Sequence, residues 1–195
     1  MNSPIRRLSA IAAALFFCLL VSSSWIQFAA AKKINDLPDN KRTLLASYNR
    51  ERGSILVGGE AIARSVATDG ELKWDRRYPM AQLYSHVTGY YSYVYGAGGG
   101  IEGAEDELLS GRSDKLFYRR VSDLLTGKDP VGASLELTIN PAAQTAADRG
   151  LGTQRGAVVA LDPKTGAILA MVSHPAYDPA ELSSHDIGAV EKAWP

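Results

Sequence analysis

The stretch Asp162-Pro163-Lys164-Thr165-Gly166 contains Lys-Thr-Gly, one of three short motifs found together in a class of serine acyl enzymes. The chemistry would be acylation of a serine hydroxyl, which needs a basic side chain within hydrogen-bond reach of the nucleophile. Ser-x-x-Lys supplies that base, because residues three apart share one face of a helix. No serine in the chain has lysine three residues later. The reading assigns no Ser-x-Asn partner motif either, so Lys164-Thr165-Gly166 is expected to be a hairpin loop. Ser184-His185-Asp186 spells a catalytic triad, but three consecutive side chains point in different directions in helix or strand. It is expected to be a solvated turn or a helix start before Ile187. His86 and His174 lack ligand spacing for a metal, and Glu105, Asp106 and Glu107 suit a helix amino terminus. The expectation is therefore no catalytic residue, no cofactor-binding residue, no cofactor and no metal ligand within these 195 residues.

Those residues must be positioned by something, and the composition says what kind of molecule does it. The hydrophobic content of 46% and charged content of 22% fit a globular protein. Lys plus Arg and Asp plus Glu both number 21, so nothing suggests a general grip on nucleic acid. Cys18 is the single cysteine and lies in an apolar run, which removes disulfides and thiolate clusters.

Arg6 and Arg7 precede Leu8 to Ala31, a stretch without a charged side chain, and Lys32-Lys33 follow it. As a helix this stretch would be about 36 Å long, enough to cross a hydrocarbon core of about 30 Å. The reading favours a membrane anchor, with Trp25, Ile26 and Phe28 at an aromatic boundary. Its rival is a cleaved signal peptide, with Ile11–Val21 as the apolar core and Ala29-Ala30-Ala31 before the cleavage point. Either alternative exports residues 32–195.

Residues 33–40, polar and containing Pro38, read as a juxtamembrane connector, and residues 41–95 as mostly β. Asp69-Gly70 between Ile62–Thr68 and Glu71–Trp74 predicts a two-residue hairpin, and Val87–Tyr95 a further strand. Gly96 and Gly98 to Gly100 mark a bend. A short helix is expected near Ala104–Leu109, and a longer one from Ser113 to about Thr126, ended by Gly127. Phe117, Val121, Leu124 and Leu125 fall on one face of it, and Arg119-Arg120 on the wet side. Leu135–Ile139 reads as a strand, and Asn140-Pro141 as the capped start of a helix closed by Gly150 and Gly152. Ala157–Leu161 and Ala167–Val172 are apolar runs of strand length that pair as a hairpin, with Gly166 free to take positive φ.

Six pieces stand in a telling order: Arg52-Gly53-Ser54-Ile55; Arg77-Tyr78-Pro79; Val87-Thr88-Gly89-Tyr90; Gly100-Ile101-Glu102 with Leu109-Ser110-Gly111; Leu135 to Asn140 with Gln144; and Gly156 to Gly166 running on to Ala176-Tyr177-Asp178-Pro179. In this order they resemble the amino-terminal part of a class B penicillin-binding protein, of the penicillin-binding protein A type. The resemblance covers nearly the whole chain after the apolar segment. It departs at Asn140, where many relatives have aspartate, a change that keeps a good helix cap.

The resemblance implies an α+β fold: a single amino-terminal membrane helix, an elongated β-rich pedestal, and the first helix and β-hairpin of an incomplete penicillin-binding transpeptidase domain. The implied division is 1–7 cytoplasmic, 8–31 anchor, 32–131 pedestal or dimerisation-type domain, and 132–195 the start of the transpeptidase domain. It implies a peptidoglycan D,D-transpeptidase that cross-links the cell wall in growth and division, single-pass in the cell membrane with its bulk outside the cytoplasm. Peptidoglycan stem peptides and β-lactams would be partners of the complete protein, and cell-division proteins further ones. The nucleophile would lie beyond Pro195, so this chain alone should be inactive, as a fragment or a truncated gene product. The alternative is a non-catalytic exported module that binds cell-division or cell-wall proteins.

Overall fold

The structure is a computed structural model that describes residues 3–30, 46–70, 72–129 and 131–194. It divides into two compact units, Met1–Thr43 and Leu44–Pro195. In the first, helix α1 (Ser3–Ser24) continues as a π-helical turn, Trp25–Ala30. Pro4–Phe28, with a mean hydropathy of 2.0, is long and apolar enough to cross a membrane. Leu8, Leu15, Phe16, Leu19 and Trp25 are all exposed on it. The connector expected at 33–40 lies outside the described residues.

In the second unit a helical turn at 46–48 precedes β1 (Ile55–Val57) and β2 (Glu60–Ala67), antiparallel to each other, and β3 (Trp74–Arg77), antiparallel to β2. The hairpin between β2 and β3 is present, but its loop is longer than two residues. Pairing stops at Ala67 opposite Trp74, and Thr68 closes the loop by donating from its N–H to Lys73 O and from its hydroxyl to Leu72 O. The expected strand Val87–Tyr95 is also corrected. Val87 and Thr88 end helix α2 (Ala81–Thr88), and the strand β4 is only Tyr90–Ser92, paired with β5 (Gly96–Gly98). Val87 is β-branched, yet it is buried against Ile62, Tyr84 and Leu109, and that packing outweighs its local preference. The described residues between 41 and 95 are thus a mixture of strands and helix.

Helices α3 (Gly100–Ala104) and α4 (Asp106–Leu109) follow. The next helix begins with a 3₁₀ turn, Asp114–Leu116, capped by the Ser113 side chain, and continues as α5 (Phe117–Thr126) to Gly127. Strand β6 (Leu135–Leu137), shorter than expected, pairs parallel with β1. The sheet order is β3-β2-β1-β6 among the described residues. Helix α6 (Pro141–Leu151) is capped by Asn140, whose side chain accepts from Ala143 N–H at 3.0 Å, and ends at Gly152. The hairpin β7 (Gly156–Leu161) and β8 (Ile168–His174) comes next, then α7 (Pro179–Leu182) and α8 (Ile187–Ala193).

The core gathers Ile55, Val57, Ile62, Tyr84, Val87 and Leu109, with Met171 of β8 packed against it. Two glycines let backbones meet beside it. A Cβ on Gly132 would lie 1.7 Å from Leu109 O, and one on Gly53 1.9 Å from Ala133 O. The approach is used for hydrogen bonds: Gly53 N–H donates to Leu109 O at 2.8 Å, and Gly132 N–H to Glu51 O at 2.9 Å.

Candidate functional site

Lys164, Thr165 and Gly166 form the turn between β7 and β8, and Asp162 organises it. The Asp162 carboxylate accepts from Lys164 N–H at 2.9 Å and from the Thr165 hydroxyl at 2.7 Å. Gly166, at φ 74°, closes the turn by donating to Asp162 O at 2.8 Å. The donated bond from Lys164 N–H, then that from Thr165, hold the Asp162 carboxyl below the ordinary aspartate range. Every polar group of the triplet named here serves the turn itself.

Ser47-Tyr48-Asn49 does spell Ser-x-Asn, which corrects the reading that this motif is absent. Tyr48 is buried and stacked on Tyr91 at 4.8 Å, and the Ser47 hydroxyl is hydrogen-bonded to Tyr91 OH. The stretch lacks the Ser-x-x-Lys that it would accompany in acyl-enzyme chemistry.

In Ser184-His185-Asp186 the three residues do separate work. The Asp186 carboxylate caps α8 by accepting from Ala189 N–H at 3.2 Å, and Ser184 Oγ accepts from Asp186 N–H at 3.1 Å. His185 turns towards Asp75 at 3.7 Å and meets the Tyr48 ring edge-on at 5.6 Å. His86 Nε2 lies 3.1 Å from Pro175 O, and His174 Nε2 lies 2.8 Å from Asp148 Oδ1. Among the described residues no group of three or more His, Cys, Asp or Glu is placed to hold a metal ion. Asp106 and Glu107 occupy the first turn of α4, as expected of an acidic cluster at a helix start.

Asp106 also belongs to a cluster that no local pattern announces. Glu102 of α3 is fully buried between two arginines, with Oε2 at 2.7 Å from Arg52 Nε and Oε1 at 2.7 Å from Arg76 Nε. Tyr78 OH donates to the same Oε1 at 3.2 Å. Arg52 continues to Asp106 at 2.6 Å and places its guanidinium 4.3 Å from the centre of the Tyr91 ring. Arg76 donates to Gly53 O at 2.9 Å. Burial alone would favour neutral Arg52, but Glu102 and Asp106 outweigh it and hold the guanidinium charged beyond its ordinary range. Burial, reinforced by the charge of Glu102, raises the Tyr78 phenol well above normal. Two charges of each sign, paired at short range, make burial tolerable and fix β3, α3, α4 and the chain before β1 together.

A second buried polar residue, Gln144 of α6, joins three elements. Its amide nitrogen donates to Leu83 O of α2 and to Met171 O of β8, both at 2.9 Å, and its oxygen accepts from Met171 N–H at 2.8 Å. Tyr177 OH donates to Ser85 O of α2 at 3.0 Å. The arrangement ties helices α2 and α6 to strand β8; it contains no nucleophile with a base beside it.

A family profile described as Penicillin binding protein A dimerisation domain matches residues 52–135, which holds the whole charge cluster. The chain is 44% identical over 199 residues to the peptidoglycan D,D-transpeptidase PbpA of Mycolicibacterium smegmatis, covering 100% of this chain and 40% of that protein. The corresponding protein of Mycobacterium tuberculosis (strain H37Rv) is 43% identical with the same coverage. The imipenem acyl-enzyme complex of penicillin-binding protein A from M. tuberculosis superposes with a TM-score of 0.73 at 46% identity, covering 77% of this chain and 35% of that one. The chain thus spans about 40% of the length of the curated relatives it matches.

Proposed function

The chain belongs to the class B penicillin-binding proteins, of the penicillin-binding protein A type, and on that premise we propose that it forms the anchor and pedestal portion of a peptidoglycan D,D-transpeptidase. The identity of 44% across the whole chain to a peptidoglycan D,D-transpeptidase carries the proposal. In this reading residues 1–7 are cytoplasmic, 8–31 cross the membrane once, 32–131 are the pedestal, and 132–195 begin the transpeptidase domain outside the cytoplasm. The apolar span Pro4–Phe28 supports the crossing. The buried Arg52–Glu102–Arg76 cluster supports a rigid pedestal.

The reaction we assign to a protein of the relatives' length is attack of an activated serine hydroxyl on the D-Ala-D-Ala carbonyl of a stem peptide. Terminal D-alanine leaves, and a second stem peptide's amine then takes the acyl group from the serine. β-Lactams would form the same ester. Residues 1–195 contain no Ser-x-x-Lys, so their part is to carry and orient.

The test is gel labelling with a fluorescent penicillin of this chain and of one extended through the downstream reading frame. No label on the short chain and label on the extended chain is the expected pair. Label on neither, with the extended chain folded, would favour the non-catalytic exported module.

A further inference from the structure

Helix α5 presents an apolar face that no other element covers among the described residues. Phe117 is 54% exposed, Tyr118 86% and Leu125 83%, and Val121 between them is exposed as well. These four lie on one arc of the helix, while Arg119 pairs with Asp123 at 3.9 Å on the other side. We infer that this arc of α5 lies in the membrane surface, with Phe117, Tyr118 and Leu125 at the boundary between headgroups and acyl chains.

Three observations favour lipid over another occupant. The first is the length of the tether. On the proposed crossing of α1, on which this inference rests, residues 31–45 span at most about 50 Å, so the folded unit never leaves the neighbourhood of the bilayer. A face too small to bind lipid by itself is then enough, because the tether supplies the effective concentration. The second is charge. Residues 112–129 hold five basic and three acidic residues, a net of +2 in a chain whose total is zero, and Lys115 and Lys128 are exposed beyond the two ends of α5. Basic residues flanking an aromatic and leucine face suit phosphate headgroups. The third is area. Four side chains of this kind present on the order of 500 Å², short of the roughly 800 Å² per partner of a stable dimer.

The experiment uses the full chain with Cys18→Ser and one new cysteine, Leu125→Cys on the apolar arc or Arg119→Cys on the polar side. Each carries an environment-sensitive fluorophore and is reconstituted into phosphatidylcholine vesicles with or without phosphatidylglycerol. Nitroxide-labelled lipid should quench the label at 125 by about half or more and leave that at 119 nearly unaffected, as expected of a helix lying in the interface. Quenching should weaken in vesicles without phosphatidylglycerol. Tyr118→Asp, a surface exchange that should leave the circular dichroism unchanged, should abolish it. Equal, weak quenching at both positions in chains that resist carbonate extraction would overturn the inference and leave the anchor standing. Release of the chain by carbonate would overturn both. Energy transfer between two chains labelled at 125, in place of lipid quenching, would mean that a second copy covers the arc.

Discussion

The carboxylate of Glu102 is buried between two guanidinium groups, while that of Asp162 stands at the surface and is held by a backbone N–H and a hydroxyl. Both organise the chain around them, but over very different ranges. Glu102 joins segments 26 and 50 residues away in sequence, whereas Asp162 reaches no further than the turn it begins. The packing follows the same division. Ile55, Val57 and Ile62 beside the first cluster are buried, whereas Val159, Leu161 and Ile168 on either side of the turn remain exposed. Charge is buried here where opposite charge and packed apolar surface arrive together, so the region of Glu102 gains a rigidity that the loop end of the hairpin, supported by its own pairing and turn, lacks.

The largest expected break in that comparison is Glu102→Ala. It leaves Arg52 and Arg76 buried without their shared carboxylate, and removing one partner of a buried ion pair typically costs about 3–5 kcal/mol. Chemical denaturation should show a transition moved by that amount. A loss under about 1 kcal/mol, the level of an exposed pair, would mean that the buried cluster is no stiffer than the surface turn.

Gln144→Ala tests the link between the two regions. Three hydrogen bonds disappear and the Leu83 and Met171 backbone groups lose their partner, which should cost about 2–3 kcal/mol. Amide exchange adds the direction. Protection in β7 and β8 should fall more than in β1 and β2, because the hairpin relies on Gln144 to reach the core. An equal fall in both sheets would show that α6 supports them alike.

A smaller effect is expected at Asp162, and pH sets it. Its carboxyl is lowered by the bonds from Lys164 and Thr165, so its stabilising contribution is complete above the ordinary aspartate value of about 3.9 and is lost as pH falls through the lowered one. The Lys164 and Thr165 resonances should therefore titrate with a midpoint below that of an unfolded aspartate, while β1 and β2 stay unchanged. A midpoint at the ordinary value would remove the carboxylate from the turn's support.

How far these regions could be read from sequence follows their range of interaction. The hairpin was legible because its signals are local: two apolar runs of strand length, a turn, and Gly166 at positive φ. The caps Ser113 and Asn140 were legible for the same reason, since each bonds a backbone N–H within three residues. The Arg52–Glu102–Arg76 cluster was not, because charged residues are ordinarily exposed and nothing near Glu102 announces partners so distant in the chain. Gln144, like Arg52 and Glu102, stands among the residues that carry the resemblance, but its bonds to Leu83 and Met171 have no local signature. Helix α2 was hidden by Val87, Thr88, Tyr90 and Tyr91, good strand formers, and by the lack of a side-chain cap at its start.

Lys164→Ala should have the smallest effect, and it separates the two meanings of Lys-Thr-Gly. In a catalytic strand the lysine would face a bound carboxylate and its loss would abolish acylation. Here Asp162 organises the turn through the Lys164 backbone N–H and the Thr165 hydroxyl, neither of which an alanine at 164 removes. The exposed side chain should therefore matter by no more than about 0.5 kcal/mol, as at most surface positions. In the chain extended through the downstream frame, fluorescent penicillin should label the Lys164→Ala variant as strongly as the parent. Loss of label in a variant whose denaturation midpoint is unchanged would place Lys164 at the reacting centre and undo the distinction between a structural turn and an active-site strand.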